Sequence, residues 1–294
     1  MFYRRKVILA LLQGFGGSLG KTHLQKLLLL FAQKQDKPDY HFVPYKYGCY
    51  SFQAAADIFT MQKYGQVQVS NKGVEKTDPV DYMNLLREGD RAILKQLYLL
   101  HGNKKYKDLI RYTYTYYPYF AINSEIADRY LNTAELKKVT ACKPVTSATA
   151  LYTIGYEGIS LEQYLNRLIE NDVQVLVDVR NNPMSMKYGF TKSQLLNACT
   201  SVGIQYIHFP EVGVVSEQRQ ALTCQADYDR LFEKYRKETL SCTTSTQEKI
   251  LQLVKDKKRV ALTCFEANVC QCHRKHLAEA IVQLPEWSYE LIHL

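Results

Sequence analysis

The chain has 294 residues, 46% of them hydrophobic and 23% charged, with a formal net charge of +9. That is enough for one large domain or two ordinary ones, and the balance excludes wholesale disorder. Apolar runs such as Leu27–Ala32 fall far short of the ~20 residues a membrane-spanning helix needs, so no membrane partner is expected.

The charge is unevenly spread. Residues 1–150 carry 22 Lys and Arg against 12 Asp and Glu, whereas residues 151–294 carry 16 against 17. A basic half of this kind suits a polyanion, nucleic acid first and DNA ahead of RNA. The plain alternative is a solvated basic surface.

At the N-terminus, Arg4, Arg5 and Lys6 precede the short apolar run Val7–Leu12. Gln13 and a glycine cluster follow where a signal peptide would carry a small-residue cleavage site, so the segment reads as a first helix or strand. The next stretch, Gly14-Phe15-Gly16-Gly17-Ser18-Leu19-Gly20-Lys21-Thr22, imitates a phosphate-binding loop. The motif needs glycine where Phe15 stands, so a turn between two helices is expected, with Lys21 near a helix N-terminus.

Thr22-His23-Leu24-Gln25 has the form of a capping box, and Leu24, Leu27, Leu28 and Phe31 follow at helical spacing. Tyr82–Leu100 and Ser124–Lys138 read as further helices, with Tyr45–Tyr50 and Gln66–Val69 as short strands. Ser70-Asn71-Lys72-Gly73 supplies a turn with a basic tip. Helices followed by a small basic hairpin predict a mostly helical, winged-helix-like domain over residues 1–138. Its candidate phosphate contacts are Lys21, Lys26, Lys72, Lys104, Lys105, Lys107 and Arg111. The run Tyr112–Phe120 beside them can stack bases or simply pack.

Residues 139–150 lack periodicity and are rich in Thr, Ser, Ala and Pro, which predicts a linker. From 151 onward the pattern alternates. Leu151–Gly155, Val173–Val179, Gln205–Phe209, Arg259–Cys264 and Tyr289–His293 read as strands. Leu161–Glu170, Lys192–Thr200, Tyr228–Glu238 and Arg274–Gln283 read as helices between them. This predicts an α/β Rossmann-like parallel sheet over 151–294, with ligands at the carboxyl ends of its strands.

Three segments fall at such ends. Thr153-Ile154-Gly155-Tyr156-Glu157-Gly158 offers glycines for a close backbone approach, making Gly155 and Tyr156 candidate ligand contacts. Asp178 and Arg180 share one strand face, a costly placement unless the pair serves a ligand or fixes the loop. Cys264-Phe265-Glu266 and Cys272-His273-Arg274 lie around a strand-to-helix loop. There Cys272 is a candidate nucleophile lowered by the helix dipole, and Asp178, Glu266 and His273 are candidate acid–base groups. Arg180, Arg274 and Cys264 complete an anion-binding set.

The chain has eight cysteines: Cys49, Cys142, Cys199, Cys224, Cys242, Cys264, Cys270 and Cys272. The scattered ones imply a reducing, cytoplasmic setting rather than a disulfide framework. Cys264, Cys270, Cys272 and His273 match none of the usual paired zinc spacings, so neither metal nor other cofactor is expected.

The quoted segments, with Tyr206-Ile207-His208-Phe209-Pro210-Glu211-Val212-Gly213, resemble the domain of unknown function 488 family across the second half. The resemblance implies a small Rossmann-like domain with Gly155, Asp178, Arg180, Pro183, Cys264, Glu266, Cys272, His273 and Arg274 gathered at one sheet edge. It supplies no reaction, and it associates the domain with nucleic-acid processing, repair and defence. Leu24–Phe31 with Phe42–Ser51 is similar to a bacterial winged-helix-like family with a Leu-Gln-Lys-Leu helix, although Cys49 stands where that family has proline. Together these predict a nucleic-acid-binding protein with a catalytic pocket. The alternative is a non-catalytic, ligand-sensing transcriptional regulator, and both readings accommodate a homo-oligomer.

Overall fold

The computed structural model describes residues 1–215, 218 and 222–294. The chain divides into one unit over Met1–Lys143 and another over Pro144–Leu294.

In the first unit, α1 (Tyr3–Gly14) and α2 (Lys21–Ala32) bury Val7–Leu12 and Leu24–Ala32 in one hydrophobic core. Between them runs the two-residue strand β1 (Ser18–Leu19). A helix therefore precedes the glycine-rich turn, where a phosphate-binding loop would require a strand. The α2 helix begins two residues earlier than its capping-box pattern suggested, with Gly20 at the N-cap and Thr22 inside. Gln25 instead holds Ser51, accepting from its backbone N–H at 2.9 Å.

The predicted strand Tyr45–Tyr50 is a hairpin of β2 (Val43–Tyr45) and β3 (Gly48–Tyr50). Ser51 then caps α3 (Phe52–Lys63), accepting from Ala54 N–H at 3.2 Å. β4 (Val67–Val69) and β5 (Val74–Lys76) follow, and the antiparallel sheet has the order β1-β5-β4.

The predicted helix Tyr82–Leu100 shortens to α4 (Glu88–His101), because Gln13 binds both Asp81 and the Tyr82 backbone and holds that segment outside it. α5 (Tyr106–Tyr116) comes next. The predicted helix Ser124–Lys138 shifts to α6 (Thr133–Ala141), started by a capping box between Asn132 and Glu135.

The second unit is a five-stranded sheet, wholly parallel, in the order β10-β6-β9-β7-β8. The strands are β6 (Ala150–Gly155), β7 (Val175–Asp178), β8 (Gln205–His208), β9 (Arg259–Cys264) and β10 (Glu290–His293). β6, β7 and β9 are buried along their whole length, as expected of strands covered on both faces. β6 leads to α7 (Leu161–Glu170), whose Leu161, Tyr164, Leu165 and Leu168 form the buried stripe. Each such side chain contributes about 1.5–3 kcal/mol when removed from water. Ser160 and Gln163 close a capping box at its start, worth ~1 kcal/mol.

α8 (Lys192–Ser201) connects β7 to β8. α9 (Gln225–Tyr235), with a π-turn to Leu240, and α10 (Thr244–Lys257) lie between β8 and β9. α11 (His273–Val282) leads to β10.

Strand alternation decides which side chains meet. Leu151, Val175, Val177, Val179, Val260, Leu262 and Cys264 cluster with α9, α10 and α11. Residues of opposite parity face the other way, where the Tyr164 hydroxyl of α7 donates to Thr263 at 2.7 Å. Among the described residues no helix is long and apolar enough to cross a membrane.

Candidate functional site

The residues singled out in the second half do converge on the carboxyl ends of β6, β7 and β9, but as two clusters. Asp178 ends β7, and Arg180 follows two residues on, so both point to one face. Both are buried, and Arg180 Nη2 lies 2.5 Å from Asp178 Oδ2 with Nε 2.8 Å from Oδ1. Arg180 Nη1 also donates to the Tyr156 hydroxyl and the Phe190 carbonyl, each at 2.8 Å. The Tyr206 hydroxyl donates to Asp178 Oδ2 at 2.7 Å. Tyr156 stacks on Phe190 with ring centroids 4.2 Å apart.

Burial opposes the charge on Arg180, but Asp178 outweighs it and raises the guanidinium pKa. Burial and the same carboxylate push the Tyr206 hydroxyl up, so it stays protonated and donates. Arg180, expected to grip an anion, therefore has most of its donors committed to protein groups.

The second cluster comes from the neighbouring strand and faces the α9–α11 side. Cys264 ends β9, Cys272 caps α11 and His273 opens it, and all three are buried. The Cys264 thiol lies 3.2 Å from Glu266 Oε2 and 3.7 Å from His273 Nδ1. His273 Nε2 lies 2.9 Å from the Val179 carbonyl, which can only accept. That contact puts the ring proton on Nε2 and leaves Nδ1 with its lone pair toward the sulfur. Val179 thus joins the clusters: its carbonyl serves His273, and its two neighbours in sequence form the ion pair.

Cys272 differs from its sequence expectation. The helix terminus and Arg274 favour a thiolate, but burial and the adjacent Cys264 outweigh them and push the thiol well up. A fully buried, protonated thiol is a poor nucleophile. Arg274 is also buried, and it donates from Nη1 and Nη2 to the carbonyls of Glu266 (2.5 Å) and Ala267 (3.2 Å). It clamps the loop rather than facing a ligand. Cys270 is exposed and stands apart from the cluster.

Gly155 meets the loop itself. A Cβ there would lie 1.9 Å from the Glu266 carbonyl oxygen. The close approach lets Tyr156 and Glu157 donate their backbone N–H groups to the Phe265 carbonyl, at 3.1 and 2.9 Å. Glu157 returns a carboxylate contact to Ala267 N–H at 2.9 Å.

A cavity of about 280 Å³ opens at this edge, lined by Tyr156, Arg180, Asn181, Asn182, Ser185, Cys264 and Phe265 among others. Sequence reasoning missed Asn181, Asn182 and Ser185, the carbonyls of Val179 and Phe190, and Tyr206. The residue letters Asn181-Asn182 were visible, but their place at the cavity depends on the loop path.

In the first unit, Lys26 departs most clearly from expectation. It is fully buried, its ammonium donating to the Tyr47 carbonyl at 2.9 Å and lying 4.6 Å from the Tyr114 ring centroid. Burial lowers its pKa, and no phosphate can reach it. Lys21, Lys72, Lys105, Lys107 and Arg111 are exposed, and Lys104 is half-buried over the Tyr112 ring. Arg111 pairs with Glu135 at 3.1 Å.

Comparison with known proteins bears on the second half. No curated protein and no solved structure gives a match. The comparisons do not confirm the winged-helix resemblance of the first half. The model described as Domain of unknown function DUF488 matches residues 160–281, from the α7 cap through α11. That span includes Asp178, Arg180, Cys264, Glu266, Cys272, His273 and Arg274, and leaves β6 with Gly155 outside it. The second half of the chain thus resembles the DUF488 family over residues 160–281.

Proposed function

We propose that this is a nucleic-acid-associated protein. Its first unit grips the phosphate backbone, DNA ahead of RNA, and its second takes a nucleotide-like anion at the cavity beside Asn181, Asn182 and Ser185. The element order α1-β1-α2-β2-β3-α3-β4-β5, with helices before a small antiparallel sheet of order β1-β5-β4, supports a winged-helix-like reading of this unit.

The observation that carries the reading is the meeting of distant basic segments at the N-terminus of α2. Lys21 opens that helix behind Gly20, which supplies no side-chain cap to its first-turn amides. Gly73 packs so closely on Leu19 and Gly20 that a Cβ would lie 2.2 Å from the Leu19 oxygen, which brings the turn bearing Lys72 alongside. The Tyr106 ring, between Lys105 and Lys107, lies 6.1 Å from His23. Segments that carry four lysines separated by up to 86 positions thus approach one helix N-terminus.

Labelled duplex DNA and RNA titrated with the full chain over a range of salt test this reading. Affinity should fall linearly with salt on logarithmic axes. The K21E/K72E/K105E/K107E variant should bind at least tenfold more weakly, with a slope shallower by about 3–4. Absence of binding at low salt, or an unchanged slope, overturns it.

One observation favours a second reading, a ligand-sensing regulator without catalysis. Arg274, His273 and Cys272 are buried away from the cavity lining, and Arg180, which does line it, has most of its donors engaged by protein groups. Alkylation of Cys272 at or below the rate of a free peptide thiol would favour this second reading, and a faster rate would show an activated nucleophile and count against it.

A further inference from the structure

We propose that Cys264, Cys272 and His273, with Glu266 as the fourth donor, form a zinc site in the second unit. The proposal does not depend on the nucleic-acid reading.

One ligand atom from each of Cys264, Cys272 and His273 lies within 4.8 Å of the other two, and all three residues are buried. Tetrahedral zinc with ordinary Zn–S, Zn–N and Zn–O bonds sets its ligand atoms about 3.4–3.8 Å apart, a sulfur and a nitrogen or oxygen about 3.6 Å. The Cys264–His273 separation of 3.7 Å matches, and the Cys264–Glu266 separation of 3.2 Å needs a shift of a few tenths of an ångström. The chemistry of the set is also that of zinc: two thiolates, an imidazole and a carboxylate.

Two further observations point to a cation here. First, a histidine that ligates a metal through one nitrogen almost always donates from the other to a carbonyl or carboxylate. His273 does so toward the Val179 carbonyl, leaving Nδ1 directed at the sulfur. Second, Arg274 is buried beside Cys272 and makes no ion pair among the described residues; its Nε has no hydrogen-bond partner. Zinc held by two thiolates and a carboxylate carries a net charge of −1, which would supply the counter-charge a buried guanidinium needs.

Cys272 and His273 are adjacent, and neighbours inside one helix diverge by about 100°, which would keep them from a shared metal. The backbone removes that objection. Cys272 is extended, at φ −132° and ψ 133°, and only His273 begins the helix. The change of conformation between them turns both side chains to the same point.

The test is metal content and ligand-field spectroscopy on the full chain. Purified with zinc supplied, the protein should hold about one zinc per chain. Exchange with cobalt(II) should give the thiolate-to-cobalt charge-transfer band and the intense visible bands of a tetrahedral site. C264S and C272S should each lose at least tenfold in zinc affinity. C142S/C224S/C242S/C270S should keep full stoichiometry, which separates the site from adventitious binding by scattered thiols. If the single variants fail to fold, the wild-type cobalt spectrum alone decides. Sub-stoichiometric metal, an octahedral cobalt spectrum, full retention in both single variants, or a Cys264–Cys272 disulfide in the freshly purified protein would each overturn the proposal.

Discussion

The two polar clusters at the tip of the parallel sheet arise on neighbouring strands, yet they bury charge in opposite ways. On β7, Asp178 and Arg180 neutralise one another, and Tyr156, Tyr206 and the Phe190 carbonyl take up further hydrogen bonds. On β9 and α11, two thiols and an imidazole face one another with the Glu266 carboxylate 3.2 Å from the Cys264 sulfur, while the nearby Arg274 has only carbonyls as hydrogen-bond partners among the described residues. The first cluster is complete with protein groups alone. The second has the donor set of a centre completed by something else. A sheet edge can therefore bring every expected residue together and still hold two devices, because successive side chains leave a strand on opposite faces.

The sharpest way to break this comparison is to unbalance the first cluster. D178N leaves the buried Arg180 guanidinium without its counter-charge. It should cost about 3–5 kcal/mol of the second unit's stability, read by urea unfolding of the full chain. D178L/R180M removes both charges and should cost less than D178N, although the hydroxyls of Tyr156 and Tyr206 lose partners. A double variant worse than the single would mean that the hydrogen-bonded tyrosines, not charge balance, dominate the cluster.

G155A comes next in size. Its Cβ would collide with the Glu266 carbonyl, so the loop carrying Glu266 and Ala267 must move. A cost of about 2–3 kcal/mol is expected. Metal affinity should fall with it, whereas D178N should leave metal affinity intact in the folded fraction. Equal effects of the two substitutions on metal binding would erase the distinction between the clusters.

The sequence carried much of this, unevenly. β6 and β9 were readable to within a residue because they are continuous apolar runs, and α7 because its Ser160 cap and four-residue apolar stripe agree. α10 escaped notice. It opens with Thr244-Ser245-Thr246-Gln247, and its apolar face, Ile250, Leu251 and Val254, emerges only in its second half. The shared face of Asp178 and Arg180 followed from strand period alone. Tyr206 as their partner did not, because it depends on which strand lies beside β7 and in what register. The meeting of Cys272 and His273 turns on the backbone angles of one residue, which no periodicity reports. The burial of Lys26 has the same origin: a cation in an otherwise apolar helix looks solvent-facing until Tyr47 and Tyr114 close over it.

The smallest expected effect tests whether the clusters are independent. Y206F removes one hydrogen bond, 2.7 Å long, from Asp178 Oδ2, while Arg180 Nη2 continues to donate to the same oxygen. The loss should be about 1–1.5 kcal/mol in urea unfolding, since the carboxylate keeps its charged partner. The route by which this could reach the second cluster is short: Asp178 and Arg180 flank Val179, whose carbonyl holds His273. If the backbone there is rigid, Y206F will leave the cobalt spectrum and the metal content unchanged. A shifted spectrum at unchanged stoichiometry would mean that the ion pair positions His273 through Val179. The two clusters would then act as one site, with Asp178 and Arg180 as positioning residues for the centre on the opposite face.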